Sequence, residues 1–353
     1  MENKRKAEGM IVVFGAGRQG ECLIYALKEL GHKVVAADNS FSQDVLDIKG
    51  VQLVSADVGE DQGIDFVLTN HKADLAISCL PYFLNEKVAK ACIDRKIPYF
   101  DLGGHVGISA KINDYAETND GQVFTDLGLA PGWVNIMAEE CYRKADQIDT
   151  VKSVYLRCGG LPLRCQNPPF NYNRTWSTDG LLNEYKDECW ILDDGVREVV
   201  PGMSGIRPFH IYEEFHTSGG IGKTLELMEK RGVRRCTYKT LRLPGHIEAV
   251  KTMIEAGIGP DVFNLLFPES NKDFVVVTAK AFGENSHYEL FYTIECDDRF
   301  TAMQKCTAFP VAAVAHMFLD DTHEGLYINC RDYSHVNYNE FSSILSGLLG
   351  EEL

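Results

Sequence analysis

The spacing of apolar and polar positions changes character once along the chain. Met10 to Phe14, MIVVF, is an unbroken apolar run that stops at a glycine, the pattern of a strand buried on both faces of a parallel sheet. From Arg18 to Leu30 the apolar residues Cys22, Leu23, Ala26, Leu27 and Leu30 recur at helical spacing, and Gly31 suits the position just past a helix end. Lys33–Ala37 is the second strand. Apolar runs return near Val51–Val54, Leu75–Cys79, Pro98–Phe100 and Val123–Phe124, with helical stretches between them. This alternation predicts a Rossmann-type doubly wound parallel sheet over the first 130 residues.

After a helix predicted over Trp133–Ala145, strands come in pairs. Val151–Cys158 is one strand, and Trp190–Arg197 is a hairpin turning at Asp194-Gly195. Phe274–Phe282 and Tyr288–Glu295 form another around Gly283–Ser286. Paired strands predict a second α+β domain with a mixed or antiparallel sheet. Thr301–Phe318 is the last long helix, expected to break or kink at Pro310.

Composition narrows the function. The net charge of −16 argues against nucleic-acid or anionic-membrane partners, which require a concentrated basic surface. No 18-residue apolar stretch suggests a membrane span, and the charged start of the chain lacks the apolar core of a signal peptide. A cytoplasmic protein is expected. The eleven cysteines are scattered through predicted elements, without CxxC pairs or zinc-ligand spacing; reduced thiols and no metal site are expected.

Gly15-Ala16-Gly17-Arg18-Gln19-Gly20 lies between the first strand and the first helix, the context a dinucleotide fingerprint requires. Gly15 permits the turn, Gly17 the approach of a pyrophosphate, and Gly20 close helix–sheet packing. Arg18 and Gln19 open the helix whose N-terminus faces the phosphates. Asp38 ends the second strand 18 residues beyond Gly20, placed to accept the ribose hydroxyls and repel a 2′-phosphate. No arginine follows in Asn39-Ser40-Phe41, so NAD is expected over NADP. Asp57, Ser78, Leu80, Pro81 and Gly103 follow later strands, where ligands of open α/β sheets sit, and complete the expected cofactor contacts. Asp38 as a solvated strand end, and Pro81 as a simple helix start, remain the competing readings.

Four segments together resemble the saccharopine dehydrogenase-like family: GAGRQG, ADLAISCLPYFLNEKVAKACIDRKIPYFDL, FTDLGLAPGWVN and TAMQKCTAFPVAAV. Within it, Gly159-Gly160-Leu161-Pro162, Thr175-Trp176-Ser177, Leu182-Asn183-Glu184-Tyr185 and Arg242-Leu243-Pro244-Gly245-His246 are most similar to archaeal-type L-lysine 6-dehydrogenases. Saccharopine-forming members typically carry Gly-Leu-Asp-Pro-Gly, where this chain has Gly128-Leu129-Ala130-Pro131-Gly132. The resemblance implies that residues 300–353 complete the nucleotide domain, and that residues 131–299 bind substrate and pair subunits into a homodimer. It also implies NAD-dependent oxidative deamination of a side-chain amine, L-lysine first.

That reaction requires a base and an anchor for the substrate's α-amino and α-carboxylate groups. His246 and Asp126 are the candidate bases. His246 titrates in the useful range, or is simply a helix-start residue bonded to backbone. Asp126 ends a parallel strand, or caps the turn before Gly128. Arg242 and Arg174 are the candidate carboxylate anchors, each weighed against an ordinary surface arginine. Tyr172 and Trp176 can wall an aliphatic chain or pack in the core. Thr217-Ser218-Gly219-Gly220 is read as capping a helix near Ile221. His105 is a surface histidine or a neighbour of the nicotinamide. The alternatives are a saccharopine- or carboxynorspermidine-type dehydrogenase, and a non-catalytic NAD-binding regulator.

Overall fold

The computed structural model describes residues 9–164, 167–320 and 331–353. They fall into two compact units, Met1–Gly128 with Thr307–Leu353, and Leu129–Cys306. In the first unit β1 (Met10–Phe14), β2 (Lys33–Asp38), β3 (Val51–Ser55), β4 (Leu75–Ser78), β5 (Tyr99–Asp101) and β6 (Val123–Phe124) are parallel, in the order β3-β2-β1-β4-β5-β6. The helices between them are α1 (Arg18–Glu29), α2 (Gln43–Leu46), α3 (Asp61–Asn70), α4 (Tyr82–Asp94) and α5 (Val106–Thr118). This is the expected doubly wound sheet. Its order reverses between β1 and β4, which directs attention to their carboxyl ends. Ile11, Val12, Val13 and Phe14 are all fully buried, which is why the first run carries no polar residue. The run read as Pro98–Phe100 sits one residue later, and so ends on Asp101 at the carboxyl edge.

The second unit holds α6 (Trp133–Asp146), β7 (Ser153–Pro162), α7 (Thr178–Lys186), β8 (Cys189–Asp193), β9 (Val196–Val200), β10 (Arg207–Phe209) and β11 (Tyr212–His216). Next come α8 (Thr224–Lys230), β12 (Arg235–Arg242), α9 (His246–Glu255), α10 (Pro260–Leu266), β13 (Asp273–Phe282) and β14 (His287–Glu295). The sheet order is β10-β11-β12-β7-β13-β14, with β8 joining β12 and pairing β9. Only β7 and β12 run parallel, so the sheet is mixed. Within β7, backbone packing leaves no room for a side chain at Gly159, and Gly160 faces the mobile end of a methionine. A Cβ on Gly159 would stand 2.5 Å from the Leu241 carbonyl oxygen, and one on Gly160 2.4 Å from Met303 Cε.

The two last helices are α11 (Ala302–Leu319) and α12 (Tyr338–Leu349). The carboxylate of Asp273 accepts the N–H groups of Ala302 and Met303 and so caps α11 (2.7 and 3.0 Å). The expected break at Pro310 does not occur: α11 is continuous through it. Proline removes one N–H, while Cys306, Ala308, Phe309 and Val311–Ala315 are all buried, and that packing outweighs one lost hydrogen bond. Among the described residues no helix is long and apolar enough to cross a membrane.

Candidate functional site

The glycine loop leaves β1 at Gly15, whose φ of +95° requires glycine and whose N–H donates to the Ala37 carbonyl (2.9 Å). Gly20 is fixed by packing, since a Cβ there would lie 1.9 Å from the Gly15 carbonyl oxygen. Gly17 is different. It has an ordinary backbone conformation (φ −70°), and a Cβ on it would meet, its chain neighbours aside, no atom of the described residues within 4 Å. The fold therefore does not demand glycine at 17, whereas close approach of a phosphate does. Gln19 Oε1 is fully buried, with no hydrogen-bond partner among the described residues. Arg18 stands exposed beside it.

Asp38 is tied to this loop. Its Oδ2 accepts the Ala16 N–H (2.7 Å) and its Oδ1 the Ser40 N–H (3.2 Å). A carboxylate offers about four lone-pair sites, so two remain for sugar hydroxyls. The solvated strand-end reading misses this tie. Asp57 is exposed and accepts the Gly59 N–H (2.9 Å), as a turn-forming aspartate. Ser78 is buried, and its hydroxyl donates to Asn85 Oδ1 (2.7 Å), so it braces α4. Leu80 and Pro81 follow, with Pro81 at the N-cap of α4. A Cβ on Gly15 would stand 3.0 Å from the Cys79 carbonyl and 3.1 Å from Leu80 Cδ2, so the glycine loop and the loop after β4 abut. The residues present fit a dinucleotide.

At the ends of β5 and β6 lies a carboxylate pair. Asp101 Oδ1 accepts the N–H groups of Gly103 (2.8 Å) and Asp126 (3.0 Å). Asp126 takes a left-handed conformation (φ +66°), and its Oδ1 accepts the Ser109 hydroxyl (2.7 Å). Both acids are buried. Burial, then the charge of Asp126, pushes the Asp101 carboxyl up to about 7. Gly103 (φ +82°) shapes the loop that leaves β5. His105 is exposed, begins α5 as its N-cap, and stacks on Tyr82 (5.3 Å, 17°). Asp101 was not among the residues picked from the sequence, although it ends an apolar run as Asp38 does.

In the second unit Arg242 ends β12 and is buried. Its Nε–H donates to the Tyr185 hydroxyl and its NH1 to the Leu241 carbonyl (both 2.9 Å), and the guanidinium lies over the Tyr172 ring (4.9 Å). Its NH2 has no hydrogen-bond partner among the described residues, yet is not sealed from solvent. Of the pair read as anchors, Arg242 is thus held rigidly with one edge unengaged. Arg174 is half-buried, and its buried Nε has no partner among the described residues.

His246 departs from the reading as a base active near neutrality. It is fully buried at the first position of α9; its Nδ1 meets the Phe170 carbonyl (2.7 Å) and its Nε2 the Tyr185 hydroxyl (2.9 Å). With a carbonyl at Nδ1, that nitrogen carries the proton, and Nε2 accepts from Tyr185. Burial, reinforced by the Arg242 charge, lowers its pKa to about 3. The helix-start reading is the one the geometry supports. Tyr172 likewise packs in the core, behind Arg242, rather than walling a substrate. Half-buried Trp176 donates its Nε1–H to the Tyr172 hydroxyl (3.2 Å). Thr217 caps no helix: α8 begins only at Thr224, and the Thr217 hydroxyl pairs with that of Thr240 (2.7 Å). Tyr185 stood in the sequence only as the end of the Leu182-Asn183-Glu184-Tyr185 resemblance, without a role, because that role depends on α7 facing the end of β12.

Two family models match the chain. That of the saccharopine dehydrogenase NADP binding domain covers residues 11–124, and that of the saccharopine dehydrogenase C-terminal domain covers residues 128–337. The mitochondrial alpha-aminoadipic semialdehyde synthase of Bos taurus is 28% identical over 293 residues, 76% of this chain and 31% of that protein. The saccharopine dehydrogenase (NADP+, L-glutamate-forming) of Pyricularia oryzae is 26% identical over 270 residues, 71% of this chain and 58% of that protein. The chain thus spans under two thirds of either relative's length. Among solved structures, apo saccharopine dehydrogenase (L-Glu forming) from Saccharomyces cerevisiae aligns with a TM-score of 0.77 over 97% of this chain and 98% of that one. At 18% identity this is a likeness of fold.

Proposed function

Because the chain belongs to the saccharopine dehydrogenase family, we propose that it is an NAD-dependent oxidoreductase acting on the side-chain amine of an amino acid, L-lysine first. The glycine loop and Asp38 would hold the dinucleotide, whose nicotinamide would supply the acceptor for the hydride of the amine carbon. A proton leaves to a base, water adds to the resulting imine, and ammonium departs, giving 2-aminoadipate 6-semialdehyde, which cyclises to piperideine-6-carboxylate. The observation that carries the amino-acid reading is Arg242: a buried guanidinium fixed through Nε and NH1, its NH2 left for a carboxylate. NAD over NADP rests on Asp38, whose carboxylate a 2′-phosphate would have to face. The name of the matching nucleotide-domain model carries NADP, so both cofactors belong in the assay. Asp126 is the favoured base, since both nitrogens of His246 are engaged. Arg174 and half-buried Trp176 remain candidate substrate contacts. A homodimer in the cytoplasm completes the reading.

A second reading, oxidation of the secondary amine of saccharopine, is favoured by the unpaired buried Nε of Arg174 and by the curated relatives' names. A substrate with more carboxylates needs a second basic anchor, which Arg174 is able to supply. The test is NAD(P)H absorbance with L-lysine, L-ornithine, saccharopine and carboxynorspermidine, each with NAD and NADP. Turnover of L-lysine with NAD is expected. Turnover of saccharopine alone selects the second reading, and tight NAD binding without any turnover removes both.

A further inference from the structure

Asp126 takes its left-handed backbone (φ +66°) just beyond β6, although it is not a glycine. Such a conformation persists only where the surroundings over-determine it. The two peptide planes that flank the Asp126 Cα set it, and both are pinned. The first donates the Asp126 N–H to Asp101 Oδ1 (3.0 Å). The second donates the Leu127 N–H to the Asp101 carbonyl (2.9 Å), while its oxygen, the Asp126 carbonyl, accepts the Tyr333 hydroxyl (3.0 Å). Asp101 supplies two of these ties. Tyr333, 207 residues further along the chain and in the same compact unit, supplies the other.

The sequence after α11 brings Tyr333 there by local steps. The Arg331 N–H donates to the Val123 carbonyl (3.1 Å), so the returning chain joins β6, the edge strand of the sheet. Asp332 then caps a 3-10 turn over Tyr333–His335 by accepting the Ser334 N–H (2.9 Å). Tyr333 is fully buried, with its ring against Phe124 (6.0 Å), which in turn packs edge-on against Phe100 (5.9 Å). Phenylalanine would serve that packing equally well. The hydroxyl adds a directed bond, and it is spent on the peptide that orients the proposed base.

We propose that Tyr333 is a positioning residue: its hydroxyl holds the Asp126 peptide so that the Asp126 carboxyl can exchange the substrate proton. The carboxyl accepts the hydroxyls of Ser109 (2.7 Å) and Thr125 (3.4 Å), bonds that depend on where the Asp126 Cα sits. Without the Tyr333 bond the second peptide relaxes toward ordinary backbone regions and draws the Asp126 N–H off Asp101 Oδ1. Asp101 then loses one of the two N–H groups that favour its charged form, and the pair keeps its shared proton to higher pH. The other titratable groups facing the pair, Cys79, Tyr99 and Tyr333, are pushed up by burial and keep their protons near neutrality. On the Tyr333 turn, burial opposes the charge of Asp332, but bonds from His335 and Ser334 hold its carboxyl below the usual range. The assignment rests on the reading of Asp126 as the base and adds Tyr333 to it.

The test compares wild type with Tyr333→Phe, using the amine and dinucleotide that wild type turns over in the assay above. The kcat should fall about tenfold or more, because proton transfer depends on placement to within an ångström. Both KM values should stay within about twofold, and the acid limb of the kcat profile should move up by roughly half a pH unit or more. In an Asp126→Asn background, Tyr333→Phe should lower kcat no further. A fall in kcat with an unmoved acid limb, or an equal fall in the Asp126→Asn background, overturns the assignment. A second measurement needs neither turnover nor a variant. In wild type carrying carbon-13 at aspartate carboxyls and tyrosine Cζ, the Tyr333 signal should shift with the same midpoint as the Asp101–Asp126 pair between about pH 5 and 8. A Tyr333 signal that ignores that titration overturns the assignment, even if Tyr333→Phe does not fold. If wild type oxidises no amine while the two signals titrate together, the amine reading fails, and the hold of Tyr333 on the carboxyl pair survives it.

Discussion

Replacing Gly17 and Gly20 by alanine, one at a time, separates what the fold requires of the glycine loop from what a ligand requires. At Gly20 the new Cβ starts 1.9 Å from the Gly15 carbonyl oxygen, so backbone must move by more than an ångström. Overpacking of this kind costs about 1–3 kcal/mol, and rigid backbone places it at the upper end. The gain of about 1 kcal/mol from alanine over glycine inside a helix offsets only part of this. A net loss of about 2 kcal/mol corresponds to a melting shift of roughly 4–8 °C for a unit of this size. At Gly17 the backbone already suits alanine, and among the described residues no atom beyond its chain neighbours lies within 4 Å of the Cβ. Stability should therefore stay within about 1 kcal/mol of wild type. A phosphate held by the N–H groups of α1 would meet the methyl instead, and losing one charge-assisted hydrogen bond costs about 1.5–3 kcal/mol, roughly 10- to 100-fold in dinucleotide affinity. Urea melts and fluorescence titration with NADH measure the two effects. The reasoning is refuted if Gly17→Ala binds NADH like wild type, or loses as much stability as Gly20→Ala.

Tyr185→Phe deprives the Arg242 Nε–H of its acceptor and His246 Nε2 of its donor, both in the interior. Stability should fall by about 2–4 kcal/mol, and the KM for the amino acid should rise about tenfold with that for NAD unchanged; equal changes in both would count against the relay. Asp38→Ala should raise the KM for NAD far more than that for the amine and improve the ratio of NADP to NAD use, and a uniform effect would argue against a ribose contact. Asp101 should make stability fall as pH rises. Its folded carboxyl is lifted to about 7 and its unfolded one titrates near 4, so the folded state holds the extra proton between those values. Asp101→Asn keeps the Oδ1 acceptor and should flatten the loss seen between urea melts at pH 5 and pH 8; an unchanged slope would contradict the lifted carboxyl.

Local chemistry was legible in the sequence where a single segment decides it. The MIVVF run, the glycine loop and the Asp194-Gly195 turn each carry their own signal, and β1, Gly15 and the β8–β9 hairpin stand where that signal puts them. Positions decided by distant partners were not legible. His246 has the same neighbours in sequence whether it faces solvent or is buried, and only the Phe170 carbonyl and Tyr185 hydroxyl decide the matter. At Pro310 the break, one of the two expected outcomes, is absent for the same reason, because the packing that carries α11 through it comes from elsewhere in the chain. The break was expected from a local rule, and tertiary burial overrode it.

The reassignment of His246 also moves the proton chemistry. A neutral imidazole whose Nε2 already accepts from Tyr185 has no lone pair for a substrate ammonium, and its Nδ1 proton is held by a carbonyl. Its service is to orient Tyr185, and through Tyr185 to hold Arg242, the proposed substrate anchor. On the proposed reaction, the acid–base task calls for a group whose protonation changes near neutrality and which lies at the carboxyl edge of the nucleotide-binding sheet. Asp101 and Asp126 meet both conditions as a pair: one extra proton is stable in the pair up to about pH 7, and the two like charges resist its loss. Within the pair Asp101 spends its Oδ1 on the N–H groups of Gly103 and Asp126, while Asp126, on a left-handed backbone, accepts the hydroxyls of Ser109 and Thr125. On the proposed reaction we propose that Asp101 tunes the pair and Asp126 exchanges the proton.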